Sequence, residues 1–98
     1  MSGQIRMSPE ELDSRANGYG QGAEQIRVTL QQLQQLQEVL RGEWEGAAFR
    51  EFDAQFIQLK GKTEEFAELL MQIQRQLKET ARAMHEQDQA LSKNFGLY

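Results

Sequence analysis

The residues of this 98-residue chain that could do chemistry are few. Its one histidine, His85, has Glu86 beside it and Asp88 three positions on, on the same side of a helix. A histidine among carboxylates is the raw material of a metal site or a general base. Zinc, however, wants three or four ligands, and a Glu-x-x-His metal motif needs an acid at position 82, where Arg82 stands. A solvated helix face is the simpler account of these residues. Nucleophile, base and orienting group cannot be assembled elsewhere, so we expect no catalytic residue, metal or cofactor, and no enzyme. Cysteine is absent, which removes disulfides and thiol chemistry.

Binding residues are better represented. Arg75, Lys78 and Arg82 form a small basic stripe, blunted by Glu79 and by a net charge of −4. Such an acidic balance argues against nucleic acid and anionic membrane surfaces as partners. Gly18, Gly20 and Gly22 fall inside a helical pattern, where each costs about 1 kcal/mol relative to alanine. They imply local flexibility or a close approach by another helix. Trp44, the only tryptophan, stands between two glutamates at a glycine-bracketed turn. Its ring could pack over that turn, or it could be a recognition anchor, tryptophan leading among binding hot spots. Spacing alone leaves the two accounts even.

The elements that must position these residues follow from periodicity. One proline and fifteen glutamines suit long solvated helices and oppose a turn-rich β sandwich. Ser8-Pro9-Glu10-Glu11 is a helix start with a capping box, and Met7 and Leu12 have the spacing of a hydrophobic staple. Leu12, Ala16, Tyr19, Ala23, Ile26, Leu30, Leu33 and, after a miss at Gln37, Leu40 trace a heptad seam. Gly42-Glu-Trp-Glu-Gly46 breaks it, which predicts a first helix over about 8–41. A second seam runs Phe49, Phe52, Phe56, Leu59, Thr63, Phe66, Leu70, Ile73, Leu77, Thr80, Met84, Gln87 and Leu91, a helix over about 47–91. Residues 1–7 read as a disordered lead-in and 92–98 as a flexible tail of a single domain, 1–98.

So short a connection makes the helices an antiparallel hairpin, an all-α fold. Paired back to back, Leu40 faces Phe49, Leu33 faces Phe56, Leu30 faces Leu59 and Leu12 faces Leu77, with Ala23 against Phe66 and Ala16 against Ile73. The second helix overhangs the first beyond about residue 81. Apolar residues also sit off this seam at Leu36, Val39, Ile57, Leu69 and Met71. Two helices cover only one side of each other, so we expect a dimer forming a four-helix bundle. Leu36, Val39, Phe49, Phe52, Phe56, Phe66, Leu69 and Leu70 are its expected dimer or bundle packing residues. No apolar run is long enough to span a membrane and no signal-peptide core is expected.

A near-central Trp44-Glu45-Gly46 in a cysteine-free hairpin of this length resembles the WXG family, the small substrates of bacterial type VII (ESX) secretion. The likeness covers essentially the whole chain. Met7-Ser-Pro-Glu-Glu-Leu12, Tyr19-Gly-Gln-Gly22, Trp44-Glu-Gly-x-Ala-Phe49, Phe66-Ala-x-Leu-Leu70, Glu86-Gln-Asp-Gln89 and Asn94-Phe-Gly-Leu97 resemble members from low-GC Gram-positive bacteria. The resemblance implies a homodimer, with a related WXG protein as a possible heterodimer partner. It implies export without a cleaved signal peptide through a membrane complex driven by an FtsK/SpoIIIE-type ATPase. The protein would then be transiently cytoplasmic and afterwards secreted or held at the cell surface. It also implies a role as virulence factor or as chaperone-like companion of larger substrates.

In the family, Trp-x-Gly of one chain joins a C-terminal Tyr-x-x-x-Asp/Glu to form an export signal. The resemblance therefore assigns recognition to Trp44, Gly46, Asp88 and Leu91, although Met84 stands where the tyrosine falls. Two other functions remain open from the residues: a membrane-active protein that permeabilises bilayers, and an intracellular helical adaptor.

Overall fold

The computed structural model describes residues 7–44 and 46–94, with side chains described as far as Gln89. Two helices, α1 (Pro9–Glu43) and α2 (Ala47–Asn94), make an antiparallel hairpin of 76 × 22 × 18 Å. The expected ends at 41 and 91 fall short. Gly42 and Glu43 stay helical, and Ser92 to Asn94 continue α2 rather than joining a tail. Met1–Arg6 and Phe95–Tyr98, most of the expected lead-in and tail, lie outside the described residues.

The start of α1 is built as its sequence requires. The Ser8 hydroxyl accepts from the Glu11 N–H at 3.1 Å, and the Ser8 N–H donates to Glu11 Oε1 at 2.9 Å. Pro9 occupies the first turn, where a missing donor costs nothing. Hydrogen bonding to the carboxylate, from the Ser8 backbone N–H first and the Ser8 side chain second, holds the Glu11 carboxyl below its ordinary value.

The seam between the helices differs from the expected one on α2. Ala16, Ala23, Leu30 and Gln37, seven residues apart, are buried on α1. On α2 the covered positions are Phe49, Asp53, Phe56, Lys60, Thr63, Ala67, Leu70, Gln74, Leu77, Ala81 and Met84, with Met71 and Lys78 half-buried beside them. The alternation of four and three is kept, but Asp53, Lys60, Ala67, Gln74 and Ala81 replace Phe52, Leu59, Phe66, Ile73 and Thr80 at every second position. Alanines at 16, 23, 67 and 81 explain the choice, because small side chains let two helices approach closely and large rings then flank the contact. The expected pairs of Ala23 with Phe66 and Ala16 with Ile73 therefore do not close the seam, and Phe66 is 54% exposed.

The helices also sit further along one another than expected. Asp13 meets Lys78 at 3.3 Å and Glu10 meets His85 at 3.7 Å. The overhang of α2 thus begins after His85 rather than near 81. Of the three clustered glycines, Gly18 faces open space, and a Cβ at Gly22 would make only ordinary contact with Leu70. Only at Gly20 would a Cβ collide, and it would meet the Gln74 carboxamide rather than a second backbone.

The two sides of the hairpin are chemically unlike. One carries a groove of about 400 Å³ lined by Leu33, Leu36, Leu40, Phe52, Phe56 and Leu59. By heptad spacing Phe66, Leu69 and Ile73 extend it along α2. The other side carries Gln31, Gln34, Glu38 and Lys60, together with the bridges Arg27–Glu68 and Lys78–Asp13 and the contact of His85 with Glu10. Ile57 and Met71, expected in one stripe with Leu36, Val39 and Leu69, line this polar side instead.

Candidate recognition site at the hairpin tip

The chain reverses over Trp44 and Gly46. Trp44 ends α1 in an extended conformation while its N–H still donates to the Leu40 carbonyl at 2.8 Å. Gly46 has φ of +111°, a backbone geometry that a side chain would strain, so the glycine of Trp-x-Gly is required by the turn itself. Of the two accounts of Trp44, packing over the turn is the one the geometry displays. Its ring lies 5.7 Å from Phe49, edge to face, and 5.8 Å from Phe52, yet it remains 41% exposed. An aromatic supported on one side and open on the other suits presentation to a partner.

Beneath this cluster lies a polar group that the sequence reading missed. Gln37 is buried, 4% exposed, and its Nε2 donates to Asp53 Oδ1 at 3.0 Å. Arg41 grips the same carboxylate with two bonds, Nη1 to Oδ2 at 3.2 Å and Nη2 to Oδ1 at 3.1 Å. Its Nε donates to Glu38 Oε1 at 3.3 Å, and its Cζ lies 5.4 Å from the Phe49 ring centroid. The bonds from Gln37 and then Arg41 hold the Asp53 carboxyl below its ordinary value, and Asp53 in turn raises that of Arg41. The sequence held only half of the signal: Gln37 interrupts the α1 seam, but it is the tertiary fit that puts Asp53 in the facing position on α2.

The remaining expected residues are scattered. Phe49 is buried within the hairpin, and Phe56 and Leu70 are half-buried. Leu36, Val39, Phe52, Phe66 and Leu69 are exposed. Asp88 is exposed on the far end of α2, remote in sequence from the tip, and the Leu91 side chain lies outside those described. His85 is exposed and pairs with Glu10 rather than Asp88. Among the described residues no cluster of three or more metal-binding side chains occurs, and no helix is long and apolar enough to cross a membrane.

An all-helical hairpin of about a hundred residues with a tryptophan and a positive-φ glycine at its reversal defines a narrow class. A family model described as proteins of 100 residues with WXG, WXG100, matches residues 4–89. The chain belongs to this family. It is 52% identical over 93 residues to type VII secretion system extracellular protein A of Staphylococcus aureus strains USA300 and Newman, covering 95% of this chain and 96% of theirs. Among solved structures it superposes on Geobacillus thermodenitrificans EsxA with TM-score 0.81 and 33% identity, over 94% of this chain and 99% of that one. The secreted protein ESXB of Bacillus anthracis str. Sterne gives TM-score 0.79 and 28% identity, over 89% and 99%.

Proposed function

We propose that this protein is a non-enzymatic substrate of type VII secretion, exported as a folded homodimer and read through the tip and the α2 overhang. The observation that carries the reading is Trp44, held by two phenylalanines and still open to a partner. The relatives named as type VII secretion extracellular proteins support the route. Gly46 makes the turn that presents the indole, and Asp88 and Leu91 on the overhang supply the second part of the signal. The secretion ATPase and its membrane complex are the partners in transit. Once outside, secreted or held at the cell surface, the protein acts as an effector in virulence or as companion to larger substrates.

The apolar side of the hairpin supports the dimer. Leu33, Leu36, Phe52, Leu59, Phe66 and Leu69 are all exposed on it, and large apolar side chains gathered on one face mark an interaction surface. A second copy applied to that side buries both stripes and completes four helices. A related WXG chain offering the same stripe is the heterodimer alternative.

The test is a blot of culture medium and cell pellet, comparing wild type with a strain lacking the secretion ATPase. Signal in the medium that disappears in the mutant is expected. Trp44→Ala, and deletion of residues 84–98, are each expected to stop export while leaving the dimer folded. Normal export of both variants refutes the assignment of the signal.

A further inference from the structure

Resting on the reading of Trp44 as the recognition anchor, we propose that Arg41 and Asp53 are positioning residues of the tip. The Asp53 carboxylate fixes the Arg41 guanidinium, the guanidinium pins the Phe49 ring, and that ring sets the direction in which Trp44 is presented.

The geometry leaves Arg41 little freedom. Its three guanidinium nitrogens are all engaged, two on Asp53 and one on Glu38, and its charged face lies against Phe49. A fork of two parallel bonds restrains orientation as well as distance, which a lysine ammonium does not do. Stacking on an aromatic face adds a second restraint in a different direction. Phe49 is nearly buried and meets Trp44 edge to face, so movement of its ring is transmitted to the indole. The link also spans the chain reversal. Arg41 is in the last turn of α1 and Asp53 in the second turn of α2, so the pair braces the two segments that flank the turn.

Stability alone does not account for this group. Gln37 and Asp53 occupy seam positions where apolar residues of similar volume would hold the helices at least as well. What the polar pair adds is direction. Asp53 is 19% exposed at its side chain and accepts three bonds from α1, so the register of the helices is specified at the tip and nowhere as tightly among the other bridges described.

The chain carries one tryptophan, so its fluorescence reports the tip alone. The full chain would be prepared as Arg41→Lys, Arg41→Gln and Asp53→Asn at matched concentration, with far-UV circular dichroism to confirm helix content. Arg41→Gln and Asp53→Asn are expected to shift Trp44 emission to the red, increase acrylamide quenching and reduce the near-UV dichroism of the aromatic cluster. Arg41→Lys is expected to give a smaller change, since it keeps the charge and loses the fork. In the secretion assay, export of Arg41→Gln is expected to fall toward that of Trp44→Ala.

Unchanged emission and quenching in both Arg41→Gln and Asp53→Asn overturn the positioning role, whatever export does. Altered spectra with normal export of Arg41→Gln, in a strain where Trp44→Ala is retained, overturn its link to recognition. Normal export of Trp44→Ala refutes the reading of Trp44 instead, and the spectra still decide the positioning role. If Arg41→Gln loses helix content, Arg41→Lys and Asp53→Asn carry the test.

Discussion

Substitution of Phe66 by alanine separates the fold of one chain from the association of two. Phe66 is 54% exposed in the single hairpin, on the side that carries the apolar groove. Covering a phenylalanine side chain completely is worth about 1.5–3 kcal/mol. Roughly half of that remains to be gained when a second copy covers the ring, or about 0.8–1.6 kcal/mol per chain. A two-fold interface contains the substitution twice, so the dimer loses about 1.6–3.2 kcal/mol and its Kd rises on the order of 10- to 200-fold. Sedimentation velocity across a concentration series measures this directly. Ile57→Ala is the matched control, because Ile57 is even more exposed, at 62%, but lies on the polar side with Gln34, Glu38 and Lys60. It is expected to leave Kd unchanged. An unaltered Kd in Phe66→Ala, or a weakened one in Ile57→Ala, would show that the copies associate through a different surface.

Five further outcomes are expected. Ser8→Ala removes the α1 cap and is expected to cost about 1 kcal/mol, lowering Tm by about 4–8 °C in thermal melts. Glu11, whose folded carboxyl is depressed by that same cap, contributes stability that is complete above about 4.5 and lost as pH falls through its lower folded value. Urea titrations at several acidic pH values on wild type and Glu11→Gln check this, since the glutamine variant is expected to lack that part of the pH dependence. Asp53 behaves with the same sign: its contribution is complete above its ordinary value of 3.8 and lost as pH falls through its lower folded value, so Trp44 emission is expected to shift only at strongly acid pH. Gly18→Ala is expected to stabilise by up to about 1 kcal/mol because its surroundings are open. Gly20→Ala gains less, since Gln74 must turn away and give up its 3.4 Å bond to Asn17; denaturant midpoints of the two variants distinguish them.

The number of helices, the capping box at Ser8 and Glu11, and the reversal at Trp44 and Gly46 were legible in the amino-acid sequence. Each depends on residues within a few positions of one another: a cap needs its own first turn, a heptad pattern its own helix, and a positive φ its own glycine. Which flank of the second apolar stripe meets the first helix was not legible. Phe52, Leu59, Phe66 and Ile73 obey the same 3–4 alternation as Asp53, Lys60, Ala67 and Gln74 shifted by one residue, so periodicity alone cannot separate them. The decision came from the tertiary fit, where alanines on both helices permit close approach and displace the rings to one side. That displacement produces an apolar side and a charged side on one hairpin. It also brings Gln37, Arg41 and Asp53 together beneath Trp44, a cluster drawn from two helices that no local spacing could specify.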